Sequence, residues 1–217
     1  FSGVSSGSIV ATILATGTPV EDVVRSCFGK PGTLRPFTGR ELYDVDGRYI
    51  LLRLAHHLVR WHGLDPVAWW QTAQRLVPTG FFRGAKLKKY IEDAIAAFDG
   101  PTHFGQLERR LFVGATLQDT IEHVVFGDGE HQNIAISDAV RASCALPPVF
   151  TPHVVDGRSF IDGQISRSSN VEVLVRSGCR LVMIIDPLVP FLHRAHGKTE
   201  DQGGIFTIIQ TIKTLVS

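Results

Sequence analysis

The sequence predicts an α/β fold with at least some parallel strands, and three observations carry that expectation. Apolar residues recur at helical spacing through the first hundred positions. Beyond residue 110, short stretches rich in Val, Ile and Phe alternate with helical ones, as layered α/β proteins require. No repeat, low-complexity tract or Gly/Ser/Pro-rich linker divides the 217 residues, so a single domain over 1–217 is expected.

The elements follow in order. Ile9, Val10, Ile13 and Leu14 share one face of a helix over 6–15, which Gly17 ends. Thr18, Pro19 and Glu21 read as a capping box with proline at the first helical position, launching a helix to about residue 28. A loop over 31–39 leads to two further helices, 48–62 and 66–77, the second opened by Asp65-Pro66. A helix over 85–98 turns Leu87, Ile91, Ile95 and Phe98 toward a core. The period then shortens, and strands are expected over 110–115 and 122–126, before a turn at Gly127-Asp128-Gly129. A short helix over 137–144 stops before Pro147-Pro148. Asp156-Gly157 between 153–155 and 159–161 is a type I′ hairpin signal. A helix over 171–176 and a fully buried strand over 180–185 follow, and an apolar helix over 205–216 closes the sequence.

Composition excludes several classes. With 44% hydrophobic residues and a net charge of +1, the chain is not of the disordered type. The balance of 22 Lys+Arg against 21 Asp+Glu leaves no basic excess for a phosphate backbone, so nucleic acid is not an expected partner. Its apolar runs, such as 50–54 and 181–186, fall far short of the ~20 residues that span a bilayer. Cys27, Cys144 and Cys179 make no disulfide framework and are expected as buried small hydrophobes. No Cys/His cluster has zinc spacing, and the adjacent His56-His57 do not form a helical metal pair; no metal and no organic cofactor are expected.

Chemistry concentrates at Gly3-Val4-Ser5-Ser6-Gly7, a Gly-x-Ser-x-Gly segment with an apolar residue before it and a helix directly after. In such a turn glycines stand where side chains would collide, and the serine hydroxyl is lifted toward the positive end of the helix. Ser5 is the candidate nucleophile, and the Ser6 amide a candidate oxyanion donor. Much later come Ala139-Val-Arg-Ala-Ser-Cys-Ala-Leu-Pro-Pro-Val-Phe150 and then Phe160-Ile-Asp-Gly163.

Together these three ordered motifs resemble the patatin-like phospholipases, which carry a serine elbow, an Ala-Ser-x-Ala-x-Pro-x-x-Phe block and an Asp-Gly-Gly or Asp-Gly-Ala step. The resemblance runs from Ser5 to the stretch 181–186, and residues 83–87 look like the family's approach to its middle helix. It implies a three-layer α/β/α fold with a mixed, mostly parallel central sheet and a helical insertion. It also implies a Ser–Asp dyad without histidine, in which Ser5 attacks an ester carbonyl and Asp162 takes the proton, with Gly3, Gly7 and Gly163 permitting close backbone approach. The implied substrate is a phospholipid, lysophospholipid or other lipid ester. Asp156, six residues before Asp162, reads as a plain turn residue.

The sequence departs from the family at Gln164, where Gly or Ala is usual, at Asn170 in place of proline, and at Ser168-Ser169 in place of asparagines. The family's oxyanion loop lies upstream of the elbow. Because the sequence opens on Phe1, an N-terminal segment carrying that loop, and a C-terminal continuation, are expected outside it. Two rival readings remain: a non-catalytic lipid-binding or regulatory relative, and an α/β-hydrolase triad completed by His193 or His196. His103, His123, His131 and His153 have no partner recognisable from sequence. Trp61, Trp69, Trp70 and Phe81-Phe82, near Arg83, Lys86, Lys88 and Lys89, suit either a core helix or contact with a membrane surface. The expected location is therefore cytoplasmic or peripheral to a membrane.

Overall fold

Strand β1 (Ser2–Val4) runs straight into helix α1 (Ser6–Ala15), with Ser5 between them. This computed structural model describes residues 1–39, 44 and 79–186. The expected helices over 48–62, 66–77 and 205–216, together with Trp61, Trp69, Trp70, His56, His57, His193 and His196, lie outside the described residues. Helix α2 (Val20–Cys27) follows α1, and helix α3 (Ala85–Ala96) precedes strands β2 (Phe112–Leu117) and β3 (His123–Phe126). Helix α4 (Ile136–Ser143), the hairpin β4 (His153–Val155) and β5 (Arg158–Asp162), a 3-10 turn (Gly163–Ile165) and helix α5 (Val171–Arg176) complete the order.

β2 is the centre of a mixed sheet. It pairs parallel with β1 and antiparallel with both β3 and β5, and β4 pairs antiparallel with β5. β3 occupies one edge of β2 over Val113–Thr116. The other edge is divided: β1 takes Phe112–Gly114 and β5 takes Ala115–Leu117. Among the described strands one pairing is thus parallel and three antiparallel, within the α/β class expected.

All six residues of β2 are buried, so both sheet faces are covered. Alternation sends Val113, Ala115 and Leu117 into one hydrophobic core with Ile9 and Ile13 of α1, Leu87, Tyr90, Ile91 and Ile95 of α3, and Ala139 and Val140 of α4. The other face is more polar, and Thr116 there meets Ser166 beyond the 3-10 turn. The hairpin turn is as expected, with φ of 48° at Asp156 and 74° at Gly157.

Three expectations need correction. Residues 180–185 form no strand; Leu181 and Ile185 are 84% and 83% exposed, because apolar sequence alone cannot make a strand without a neighbouring ladder. Thr18 does not cap α2: Pro19 takes the cap position, while the Thr18 hydroxyl is buried with no hydrogen-bond partner among the described residues. Of the cysteines only Cys144 is buried, and Cys27 and Cys179 are exposed.

α3 begins at a left-handed Gly84, which carries no side chain to cap it. Asp44 supplies the cap from forty residues away, accepting hydrogen bonds from the Gly84 amide at 2.8 Å and the Ala85 amide at 2.7 Å. A carboxylate there also faces the positive end of the helix dipole. Asp44→Ala is expected to lower stability by about 1–2 kcal/mol, read as a lower urea midpoint at unchanged slope; an unchanged midpoint would refute the long-range cap.

Candidate active site

Ser5 sits at φ 52° and ψ −128°, a conformation that costs a non-glycine residue on the order of 1–3 kcal/mol. The turn is tight because β1 must give way to α1 within one residue. A Cβ on Gly3 would lie 2.4 Å from the Gly7 carbonyl oxygen, so position 3 has no room for a side chain. Gly7 differs from the expectation: a Cβ there meets nothing within 4 Å among the described residues, and the collision it avoids belongs to Gly3.

The ends of β1 and β5 meet on β2. Val4 is opposite Gly114 and Asp162 is opposite Ala115, with the two strands running toward each other. That arrangement brings Ser5 and Asp162, 157 residues apart in sequence, into contact: Ser5 Oγ donates to Asp162 Oδ2 at 2.6 Å. The second carboxylate oxygen accepts from the Gln164 amide at 2.9 Å, a bond from the main chain of the residue where the sequence departs from Gly or Ala. Gly163 is fixed by sterics, since a Cβ there would lie 2.4 Å from the Gly114 carbonyl oxygen.

The block ending α4 clamps both partners. Ser143 Oγ accepts from the Ser5 amide at 2.8 Å and donates to the Gly114 carbonyl at 2.6 Å. Two residues on, the Ala145 carbonyl accepts from the Asp162 amide at 3.0 Å. Ser8 Oγ donates to the Ser5 carbonyl at 2.6 Å, and the Cys144 thiol points at the same carbonyl at 3.3 Å. The bridging role of Ser143 was hidden within the Ala-Ser-x-Ala block, whose spacing was the available signal. Ser6, the first residue of α1, is exposed, in the first turn where helix amides have no intrahelical acceptor.

Asp162 is fully buried, and burial pushes its carboxyl up to about 6, against the opposing pull of the Ser5 hydroxyl and the Gln164 amide. Burial, then the charge of Asp162, pushes the neighbouring Cys144 thiol up to about 12, so it stays protonated. Among the described residues no histidine bonds to Ser5 or Asp162. The histidines do have partners: His153 Nε2 pairs with Asp138 at 2.8 Å, His103 Nδ1 with the Thr102 hydroxyl at 2.9 Å, His131 packs edge-on against Phe126, and His123 bonds Ser166 and Asn170. Lys88 and Lys89 pair with Asp138 and Asp93. The described residues hold no group of three or more His, Cys, Asp or Glu that could bind a metal ion, and no helix long and apolar enough to cross a membrane.

A model of the patatin-like phospholipase family matches residues 1–175. Among solved structures, VipD from Legionella pneumophila is similar at a TM-score of 0.40 and 20% identity, over 78% of this chain and 40% of that one. The chain thus spans two fifths of that protein's length.

The raised carboxyl has a consequence for stability. Asp162 in the folded protein ionises at about 6 rather than 3.8, so its favourable contribution is fully present below pH 4 and is lost as pH rises through 6. The loss amounts to about 3 kcal/mol. Asp162→Asn, which does not titrate, is expected to be the more stable protein at pH 8 and to lose that advantage below pH 4, as urea unfolding at the two pH values would read. An advantage that does not change with pH would contradict the buried, elevated carboxyl.

Proposed function

The chain belongs to the patatin-like phospholipase family, a family of lipid acyl hydrolases, and from that premise we propose that it cleaves fatty-acyl esters with Ser5 as nucleophile and Asp162 as its base. The single observation behind this reading is the 2.6 Å hydrogen bond from a serine in a strained strand-to-helix turn to a fully buried carboxylate. A surface serine that merely bonds an aspartate needs neither the strain nor the burial.

The chemistry runs in two halves. Ser5 Oγ attacks the ester carbonyl while Asp162 Oδ2 accepts its proton, and the tetrahedral intermediate collapses as that proton passes to the departing alkoxide. Water then loses a proton to Asp162, attacks the acyl-enzyme and releases a free fatty acid and the Ser5 hydroxyl. In this reading the amide of Ser6, in the first turn of α1 at its positive end, donates to the oxyanion. Desolvation helps the base: a carboxylate at an ordinary pKa is too weak to deprotonate serine, and burial, outweighing the pull of the Ser5 hydroxyl and the Gln164 amide, pushes Asp162 up to about 6. The proposed substrates are phospholipids, lysophospholipids or acylglycerols presented at a membrane or micelle surface.

The reading requires Asp162 to be ionised, so kcat/KM is expected to fall as pH drops through about 6 and to hold above it. A fluorophosphonate probe is expected to label the protein, and Ser5→Ala to abolish labelling and reduce turnover of a short-chain ester by about 10⁴-fold or more. Labelling that survives Ser5→Ala would reject Ser5. Activity lost in the His193→Ala/His196→Ala double variant would instead favour a histidine triad.

A further inference from the structure

The polar face of the sheet carries a second cluster that the reaction above leaves unused. His123 on β3 stands opposite Thr116 of β2. Its Nδ1 lies 2.9 Å from Ser166 Oγ, and its Nε2 lies 2.8 Å from Asn170 Oδ1. Ser166 Oγ is 2.7 Å from Thr116 Oγ1, which is 2.9 Å from the main-chain carbonyl of Asp162. The other branch reaches β1, because the buried Asn170 donates its amide to Ser2 Oγ at 2.9 Å. Gly114 leaves space for the junction: a Cβ there would lie 2.7 Å from Asn170 Oδ1 and 2.9 Å from the His123 ring.

Hydrogens in this cluster can be counted. The Asn170 amide nitrogen faces Ser2 Oγ and the Gly3 carbonyl, so Oδ1, which only accepts, faces His123 and Nε2 carries a hydrogen. From Nδ1 to the Asp162 carbonyl there are three links: His123 to Ser166, Ser166 to Thr116, and Thr116 to Asp162. Ser166 and Thr116 bring one hydrogen each. The third must sit on Nδ1, so a neutral His123 leaves one link without a hydrogen and an imidazolium completes all three.

We propose that His123 is a positioning residue for Ser5 and Asp162. It ties β1 to the segment after β5, and its proton supplies the missing hydrogen of a chain that ends with Thr116 donating to the Asp162 main-chain carbonyl. The catalytic part of this proposal rests on the Ser5–Asp162 reading; the hydrogen-bond chain does not.

The groups around His123 set where the switch lies. Burial lowers its proton affinity below the ordinary value of 6.5, the Asn170 bond acts against this, Arg167 lowers it further and Glu172 raises it. Arg167 is paired with Glu172, and Asp128 with Arg176. These four residues, with Glu122 and His131, line a cavity of about 510 Å³ on which His123 opens. Burial thus favours the neutral ring, and the chain is completed when His123 gains a proton.

The test begins in the Asp162→Asn background, where no carboxyl titrates at the dyad. In an NMR titration of the full chain, the His123 ring and the Gly163 amide nitrogen, which shares a peptide unit with the residue-162 carbonyl, are expected to shift with one common midpoint below pH 6.5. Adding Thr116→Val should leave the His123 titration in place and remove the Gly163 step. A Gly163 signal that stays flat while His123 titrates, or a step that survives Thr116→Val, would overturn the proposal. Ester turnover gives the second readout. With Asp162 restored, His123→Ala is expected to lower kcat about tenfold at unchanged KM, and His123→Gln, which retains a donor toward Asn170, to recover part of that loss. A kcat unaffected by His123→Ala would end the positioning role. Loss of the Ser5 reading alone, with labelling that survives Ser5→Ala, leaves the NMR result to decide the chain on its own.

Discussion

Everything at the site depends on one edge of β2 being shared by two strands that run toward each other. β1 ends opposite Gly114 and β5 ends opposite Ala115, so the residues at their ends have no choice but to meet. A β2 paired along its full length with either strand alone would hold only one of the two. The steric demands follow from the same junction: Gly163 lies against the Gly114 carbonyl, and Gly3 lies against the Gly7 carbonyl where β1 turns into α1. The end of α4 packs against this junction and is bonded to both sides of it, through Ser143 to Ser5 and through Ala145 to Asp162.

That geometry is held against a cost. The left-handed Ser5 backbone and the buried Asp162 carboxylate together cost on the order of 4–6 kcal/mol when the carboxylate is charged. The pull of the Ser5 hydroxyl and the Gln164 amide on the carboxylate is already contained in that cost, and the bonds that Ser8 donates to the Ser5 carbonyl and Ser143 accepts from the Ser5 amide offset it by only about 1 kcal/mol each. What keeps the arrangement rigid is therefore the surrounding core. Val113 and Ala115 flank Gly114 on β2, are fully buried, and pack into the layer of α1, α3 and α4.

Most local signals in the sequence survived into the structure, whereas contacts made across the chain were legible only where an ordered motif marked them. The serine elbow was legible because a strand, a turn and a helix N-terminus are encoded within fifteen residues. The Asp156-Gly157 hairpin was legible for the same reason. Asp162 was separable from Asp156 by the motif order before it, although nothing in sequence spacing says that it lies 2.6 Å from Ser5. The strand at 180–185 failed because it needs a partner ladder outside its own window, and the capping box at Thr18 failed because Pro19 takes the cap position one residue later. Asp44 shows the converse, a cap for α3 that no local pattern predicts. His123 had no recognisable partner in sequence because its partners, Ser166 and Asn170, are brought to it by the path of the chain after β5.

The two faces of β2 divide the work between packing and polarity. Side chains at 113, 115 and 117 enter the hydrocarbon core, where a polar group would be costly. Those at 114 and 116 face the other way: a glycine that admits His123 and Asn170, and a threonine that reaches the Asp162 carbonyl. A period of two along one strand thus allows a dry anchor and a hydrogen-bonded network to share the same six residues. Hydrophobic packing is non-directional and cannot choose among rotations of a buried carboxylate, whereas hydrogen bonds to its main chain and side chain can. The apolar face therefore secures the position of the strand ends, and the polar face ties down the Asp162 main chain through Thr116.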